Sequence, residues 1–264
     1  MTNKEAAVKY STGGAGKASM SVLRMAAEAF LAGMFIALAG AASTIAASTI
    51  ESPSVAKLVT ALIFPAGLAM VILNGTELFT GNSLMIISLL DKKIKLTGVL
   101  KNWLIVYAGN FAGSLFVSAM CVYGHVYTLF GGAAGVSAGA AAAAKCSISF
   151  EDAVLKGILC NILVCVAVMM TVMTEHAVGK IIALFLPIMV FVICGFEHSV
   201  ANMSYISTGL FLQASGQLDS SINAENLTWG AFLITNLVPV TLGNIIGGCF
   251  TGFAYWFTNI YKTA

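Results

Sequence analysis

Charged side chains are scarce in this sequence of 264 residues. Asp, Glu, Lys and Arg make up 9% of it, and hydrophobic residues make up 59%. A typical soluble domain carries about a quarter charged residues. So little polar surface cannot cover a water-soluble globule of this size, which excludes a soluble enzyme, a nucleic-acid-binding protein and a disordered chain. The length suits about six membrane spans of roughly 20 residues with short loops.

Motifs for metal or redox chemistry are also lacking. The three histidines lie far apart, no H-x-x-x-H occurs, and the six cysteines form no C-x-x-C pair. A membrane-embedded redox enzyme, the alternative from another functional class, would need such a constellation. We therefore expect neither a cofactor nor a metal site, and we interpret the cysteines as small core residues.

Long uncharged stretches indicate the membrane spans. The first, 29–50, is too long for the apolar part of a typical secretory signal, so residues 1–24 are interpreted as a basic leader. Only Glu77 divides one pair of stretches, and only Glu197 and His198 divide another. We therefore predict six spans, of which the second and fifth are long and interrupted. The uncharged stretches are 29–50, 58–76, 78–90, 102–144, 157–174, 181–196, 199–218 and 226–261.

The stretch 102–144 is interpreted as one span followed by an outer loop. Its end, 131–144, reads GGAAGVSAGAAAAA, a low-complexity segment with little to anchor it in lipid. The sequence leaves open whether this loop contains a short helix.

The distribution of Lys and Arg predicts the orientation of the spans. With both termini on the cytoplasmic side, ten of the 13 basic residues lie on that side. The ten are Lys4, Lys9, Lys17, Arg24, Lys92, Lys93, Lys95, Lys101, Lys180 and Lys262, and the other three are Lys57, Lys145 and Lys156. We expect a multi-pass protein surrounded by the lipid of the cell (inner) membrane.

One pattern of spans occurs twice. Segments 75–82 and 195–202 both read G-x-E-x4-N, and segments 102–113 and 236–247 both read N-x6-G-N-x2-G. The shared motifs follow each other in the same order, which indicates a duplication of three spans. Because three is odd, the second copy must cross the membrane in the opposite direction.

These features predict an all-α membrane protein built as an inverted 3+3 repeat. The whole chain, 1–264, forms one channel domain, with repeat halves at about 25–130 and 151–260. Such repeats place broken helices near the bilayer midplane, where non-helical backbone is tolerated only against protein or a cavity. We therefore expect breaks in the second and fifth helices.

An ionisable residue at such a break is energetically costly. Glu77 and Glu197 occupy the same repeat position, each five residues before an asparagine, Asn82 or Asn202. One interpretation is that the carboxylates support the break by accepting hydrogen bonds from its freed backbone N–H groups. The other is that they bind or relay ions. His198 has no counterpart in the first half, and we expect it to have a functional role.

Three segments carry a resemblance to a known family. FPAGLAMVILNGTELFTGN (64–82), FVICGFEHSVANM (191–203) and NLVPVTLGNIIGG (236–248) resemble the signatures of the formate/nitrite transporter family. The resemblance runs over essentially the full chain. It implies an aquaporin-like fold and a homopentamer with one pore per protomer. It also implies conduction of small monovalent anions such as formate, nitrite, hydrosulfide or lactate.

The resemblance also implies roles for single residues. His198 matches the central pore histidine, and Thr80 matches its partner on the loop of the second span. The remaining matches are Asn244 and Asn161 as polar pore residues, Lys145 in a vestibule, and Phe64, Leu68, Leu78, Phe79 and Phe191 at hydrophobic constrictions. The loop departs from the formate branch, which usually has Asp where this chain has Glu77 and Ser after the Thr. The asparagines at the breaks are not followed by Pro-Ala, which argues against a water channel.

The chain as a whole most resembles the hydrosulfide-conducting branch. A formate/nitrite channel, or a proton-coupled transporter of the same fold, is the alternative. Apolar constrictions disfavour a bare anion more than a neutral weak acid. We therefore hypothesise that Lys145 attracts anions to the mouth and that the substrate gains a proton near His198.

Simpler interpretations stay open beside these roles. Lys145 could be a plain surface charge, and the two asparagines could hold helices together. Ordinary core packing is the simpler interpretation for Phe64, Leu68 and Phe191.

Overall fold

The computed structural model describes residues 1–261, and the regular structure in this range is entirely helical. Lys262, counted above with the cytoplasmic charges, lies outside the described residues. The α-helices are α1 (Asn3–Ser19), α2 (Val22–Ala47), α3 (Pro53–Ile63), α4 (Pro65–Asn74), α5 (Phe79–Asn82), α6 (Ile86–Leu90), α7 (Leu96–Tyr123), α8 (Ala133–Cys146), α9 (Phe150–Val172), α10 (Ala177–Ile193), α11 (Ser199–Ala214) and α12 (Val238–Asn259). Two 3₁₀ segments (Ser83–Met85, Val126–Gly132) and a π-helical segment (Ala231–Leu237) complete them.

Six helical stretches in the described range are long and apolar enough to cross a membrane. They are Val22–Ala47, Pro53–Asn74, Leu96–Tyr123, Val126–Cys146, Phe150–Val172 and Ala231–Asn259. These six are not the six spans expected from the sequence. Val126–Cys146 falls in the stretch interpreted as an outer loop, and the expected fifth span is missing because it is divided into the shorter α10 and α11. The expected second span is interrupted as well, since α3 and α4 are followed by the short α5 and α6. The structure is therefore an all-helical membrane protein with broken second and fifth spans.

The leader is an ordered helix. Thr2 and Glu5 form a capping box at the start of α1, in which each side chain bonds the other residue's backbone N–H. The helix packs against α6, α7, α9 and α12, and the Tyr10 hydroxyl donates a hydrogen bond of 3.1 Å to the carbonyl of Gly81. The leader thus covers one end of the helical bundle, called the α1 face below.

Each repeat half is held together by one close helix pair, α2 with α7 and α9 with α12. The backbones approach so closely that a Cβ added at Gly113 would collide with the Phe30 carbonyl, and one at Gly247 with the Ile158 carbonyl. The two halves therefore use the second glycine of the N-x6-G-N-x2-G motif for the same purpose.

The low-complexity segment 131–144, interpreted above as an outer loop, is mainly helix α8 and belongs to the membrane-capable stretch Val126–Cys146. Its buried residues are small, among them Ala134, Ala138 and Ala142, and they lie against α11. Because alanine has high helix propensity and leaves no bulky side chain between the helices, a low-complexity run can pack here. The end of the bundle that carries α8 is called the α8 face below.

Candidate functional site

The two helix breaks have nearly the same backbone geometry. Helix α4 ends at Gly75 with φ +65°, and α10 is followed by Gly195 with φ +67°. This left-handed conformation favours glycine. The residue that precedes the next helix is extended in both cases, Leu78 at φ −108°, ψ 123° and His198 at φ −110°, ψ 115°. The inverted repeat thus reproduces the break residue by residue.

A buried asparagine satisfies the free backbone groups of the first break. The Phe79 N–H donates to Asn110 Oδ1 at 2.9 Å. Asn110 Nδ2 in turn donates to the Glu77 carbonyl at 2.9 Å and to the Ala29 carbonyl at 2.8 Å. One side chain therefore bridges the break and the close α2–α7 pair.

Asn244 does the same for the second break. The Ser199 N–H donates to Asn244 Oδ1 at 2.9 Å. Asn244 Nδ2 donates to the carbonyls of Glu197 at 2.9 Å and Gly157 at 2.8 Å. The sequence leaves two roles open for Asn244, and these bonds place its amide in the scaffold of the break rather than free in a pore.

The carboxylate of Glu77 is buried, and both of its oxygens have a hydrogen-bond or ion-pair partner. It accepts hydrogen bonds from Asn82 Nδ2 at 2.6 Å and from Asn102 Nδ2 at 3.3 Å, and it forms an ion pair with Lys17 of α1. Asn82 Nδ2 also donates to Asn102 Oδ1 at 2.8 Å.

Glu197 has a matching set of partners. Lys145 of α8 donates to both carboxylate oxygens at 2.9 Å. Asn202 Nδ2 donates to Glu197 Oε2 at 2.6 Å and to Asn236 Oδ1 at 2.8 Å. Each break thus has a cluster of one glutamate, two asparagines and one lysine.

Of the two interpretations of Glu77 and Glu197, the one in which the carboxylates bond the freed backbone N–H groups is therefore wrong. The N–H groups of Phe79 and Ser199 are taken by the asparagine amides, as described above, and Glu77 and Glu197 bind side-chain donors instead. A carboxylate in this position needs a counter-charge because it is buried, and each lysine supplies one. The breaks are thus supported by hydrogen bonds between side chains, those of Asn82 with Glu77 and of Asn202 with Glu197.

Sequence reasoning missed Asn102, Asn110 and Asn236 as site residues. The signal was present, because the repeated N-x6-G-N-x2-G motif contains all three together with Asn244. Its first asparagine joins the carboxylate cluster and its second bridges the break. Lys17 was also missed, since nothing in the leader shows which of its lysines reaches Glu77.

His198 is the feature that breaks this symmetry, since Leu78 occupies the same place in the first break. Its Nδ1 accepts a hydrogen bond of 3.0 Å from the Ala201 N–H at the start of α11. An acceptor nitrogen carries no proton, so the ring is neutral, with its proton on Nε2. Nε2 lies 2.8 Å from Thr80 Oγ1. The structure therefore brings His198 and Thr80 of the two breaks together, as expected.

A cavity of about 400 Å³ ends at this histidine. Helices α2, α3, α8, α10 and α11 line it on the α8 face. Phe64 and Phe191 lie in its wall in edge-to-face contact, with ring centroids 5.6 Å apart. The Phe191 ring is stacked on that of His198 at 6.0 Å.

Three other expected constriction residues are buried in the same apolar cluster. Leu68 follows Phe64 by about one turn along the same span, and Leu78 precedes Phe79 at the first break. Phe79 differs from the others, because its ring packs edge-on against Trp103 and Tyr107 of α7, at 6.2 and 4.8 Å. It belongs to the support of the break.

Asn161 of α9 links the first break to α12. Its Nδ2 donates to the Thr80 carbonyl at 3.2 Å and to the Asn244 carbonyl at 2.5 Å. The residue is fully buried. Its hydrogen bonds favour the packing role that the sequence left open beside the pore role.

A second cavity, of about 230 Å³, lies at the α1 face. Three lysines, Lys9, Lys17 and Lys180, line it together with Tyr10. Lys9 is paired with Glu175 and Lys17 with Glu77. Each face of the bundle thus has a basic cavity next to one glutamate cluster.

An inverted repeat of membrane helices, with two breaks facing each other and a cavity on either face, defines a multi-pass membrane channel or transporter. The model of the formate/nitrite transporter family matches residues 4–257. The chain belongs to this family, whose members are channels and transporters rather than enzymes.

Several relatives support this assignment. The chain is 35% identical over 251 residues to a protein named "Probable formate transporter" from Methanothermobacter thermautotrophicus, covering 87% of this chain and 86% of the relative. It is 36% identical over 255 residues to the formate channel FocA of Escherichia coli K12, covering 92% and 89%.

Two solved structures are similar to the whole fold. One, described as an FNT family ion channel, has a TM-score of 0.85 at 28% identity and covers 96% of this chain and 98% of its own. The other, described as a pentameric formate channel with formate bound, has a TM-score of 0.78 at 32% identity and covers 90% and 97%.

Proposed function

We propose that this chain is a formate channel, assembled as a homopentamer in the cell membrane with one pore per protomer. Three of the four relatives described above are named for formate, and one of them is a pentamer. This favours the alternative of the sequence-based prediction over its main interpretation. The preference for hydrosulfide stays a prediction that none of these four names supports.

The conduction path of this proposal runs through each protomer between the two cavities. From the α8 face it passes Phe64 and Phe191, reaches His198 and Thr80, and then passes Leu78 and Leu68 toward the α1 face. The α1 face is assigned to the cytoplasm, because most of the basic residues lie on that side. Apolar side chains before and after one polar position exclude hydrated ions and disfavour bare anions.

The single observation that carries this mechanism is the hydrogen bond from the Ala201 N–H to His198 Nδ1. It leaves His198 with one N–H donor, at Nε2, which now contacts Thr80. An anion beside the ring can accept this hydrogen bond in place of Thr80. A neutral ring that lost this proton would become an anion itself. The proton that accompanies formate therefore comes from solution, and His198 donates a hydrogen bond. This replaces our hypothesis that the substrate gains its proton at His198.

Flux into liposomes that contain the purified protein tests the proposed function. Formate, nitrite and hydrosulfide are compared at two pH values, and empty liposomes correct for the neutral acids that cross lipid unaided. We expect formate entry well above the empty-liposome rate and at least as fast as hydrosulfide entry. Fast hydrosulfide entry with formate at the empty-liposome rate would overturn the proposal and restore the hydrosulfide interpretation.

A further inference from the structure

The cavity at the α8 face contains three charged side chains. They are Lys57, Lys145 and Glu197, beside the neutral His198. The resemblance to the family points to Lys145 as the lysine of this vestibule. The structure shows what Lys145 binds: both carboxylate oxygens of Glu197, at 2.9 Å each.

This ion pair leaves Lys145 little capacity to attract an anion. Its side chain is 19% exposed and that of Glu197 is 9% exposed, so the pair is largely shielded from water. An incoming anion would meet a dipole with almost no net charge. Separating the pair would leave Glu197 as a buried, uncompensated charge, which is strongly unfavourable.

Lys57 is different from Lys145 in this respect. It lies on α3, about one turn after Pro53, and its side chain lines the same cavity and is exposed. Within residues 1–261 it has no hydrogen-bond or ion-pair partner. A Cβ added at Gly195 would lie 3.9 Å from Lys57 Nζ, so the ammonium group sits beside the left-handed turn that opens the second break. The net positive charge of this cavity therefore belongs to Lys57.

We propose that Lys57 is the residue that collects anions at the α8 face, and that Lys145 serves to compensate Glu197. The proposal rests on the proposed function, since it assigns the conducted species to an anion. An unpaired charge inside a cavity with apolar walls raises the local concentration of counter-ions and their rate of entry. Lys57 thus sets how fast formate reaches the Phe64–Phe191 constriction, while it makes no contact at the constriction itself.

The first test measures formate flux at two ionic strengths. The screening length is about 30 Å at 0.01 M salt and about 3 Å at 1 M. At the lower salt we expect Lys57→Gln to reduce flux about two- to threefold, as one charge several ångströms away would. The reduction should disappear at 1 M, and Lys57→Arg should behave like the parent chain.

Lys156→Gln is the matched control. It removes the same charge near the same face, but Lys156 pairs with Asp152 and does not line the cavity. Two results would overturn the proposal. One is a loss of flux in Lys57→Gln that is equal at both salt concentrations, which indicates a structural role. The other is an equal effect of Lys156→Gln at low salt.

The second test does not depend on conduction. Ser137 also lines the cavity, and Ser137→Cys in a Cys194→Ser background provides a reporter thiol there. The rates of its reaction with an anionic and a cationic methanethiosulfonate reagent are compared, after subtraction of the rates of Cys194→Ser alone. Adding Lys57→Gln should lower the anionic-to-cationic rate ratio at least twofold at low salt, whereas adding Lys156→Gln should leave it unchanged.

The two tests separate the two proposals. If the parent chain does not admit formate, the proposed function fails, and the rate ratio of the reporter thiol alone decides the role of Lys57. If formate enters but the ratio is the same with and without Lys57, the function stands and the inference about Lys57 is wrong.

Discussion

The two helix breaks are built alike and differ at one position. Each has an asparagine that bridges the freed backbone groups, Asn110 or Asn244, and a glutamate cluster with its own lysine. The break residue is Leu78 in the first half and His198 in the second, with φ and ψ within about 10° of each other. The scaffold of the break thus does not require a histidine. The duplication reproduces the backbone of the break, and the one replacement of an apolar side chain places a hydrogen-bonding group in the second break.

Removing either bridging asparagine should have the largest effect on stability. Asn110→Ala and Asn244→Ala each leave one N–H and two carbonyls without their partner. We expect each to lower the free energy of unfolding by about 3–6 kcal/mol, at 1–2 kcal/mol for each buried group. The loss is measured as the fall in the temperature at which the detergent-solubilised protein ceases to elute as a folded species.

Asn223→Ala, in an exposed turn, is the control. Asn110→Gln and Asn244→Gln keep the amide with its acceptor and its donors, at the cost of one extra methylene. They should be less damaging, so that a gradation remains measurable if the alanine variants do not fold. If one alanine variant were as stable as the parent chain while the other was not, the two asparagines would not contribute equally to the stability of their breaks.

Making the two breaks alike should have the next largest effect, which is a loss of formate flux. His198→Leu reproduces the first break in the second and removes the Nε2–H donor that the proposed path offers beside the Thr80 hydroxyl. A hydrogen bond to a charged group contributes about 1.5–3 kcal/mol. We therefore expect formate flux into liposomes to fall about 10- to 100-fold, with His176→Gln, at an exposed turn, unchanged.

The pH dependence of flux in a milder variant tests whether the His198 ring exchanges protons. His198→Gln keeps a hydrogen-bond donor, but its amide does not take up or release a proton near neutral pH. Because Nδ1 is occupied by the Ala201 N–H, we expect this variant to conduct more slowly with the same dependence of flux on pH as the parent chain. A changed pH profile would show that the ring exchanges protons during transport, and would reinstate proton transfer at His198.

Much of this comparison could be predicted from the sequence. The two G-x-E-x4-N segments predicted both breaks and the inverted repeat, because a charge that recurs at the same place in two apolar stretches indicates a duplicated interruption of the helix. The pairing of donors with acceptors could not be predicted. Asn110 reaches a backbone group 31 residues away, and Lys17 reaches a carboxylate 60 residues away. Such contacts depend on how helices pack, which local patterns do not encode.

The contact of Lys145 with Glu197 could not be predicted from the sequence either. A lysine at the end of a low-complexity segment has the sequence signature of a solvated charge. Only the packing of α8 on α11 brings it to Glu197, and that packing depends on small residues that carry no motif of their own. Lys57 lies near the start of a span, and only the packing of α3 on α10 brings it beside Gly195.

Neutralising the two lysines should have the smallest effect and tests whether their roles are equal. Lys17→Gln and Lys145→Gln each leave a buried glutamate without its counter-charge. The lysine side chains are 27% and 19% exposed, and each glutamate keeps the hydrogen bonds from its asparagine partners. We therefore expect a cost of about 1–2 kcal/mol of unfolding free energy, below the roughly 3–5 kcal/mol of a buried charge that loses its only partner. Lys145→Gln should cost more, because Lys145 contacts both carboxylate oxygens and is less exposed.

A second substitution in each pair shows whether the uncompensated charge causes this loss. In Lys17→Gln with Glu77→Gln, and in Lys145→Gln with Glu197→Gln, no buried charge remains, and the amide of the new glutamine can still accept a hydrogen bond from Asn82 or Asn202. Each double variant should therefore be more stable than its lysine single variant in the same thermal assay. If both double variants were as unstable as Lys17→Gln and Lys145→Gln alone, the lysines would act through packing, and the glutamate clusters would not need a counter-charge to hold the breaks.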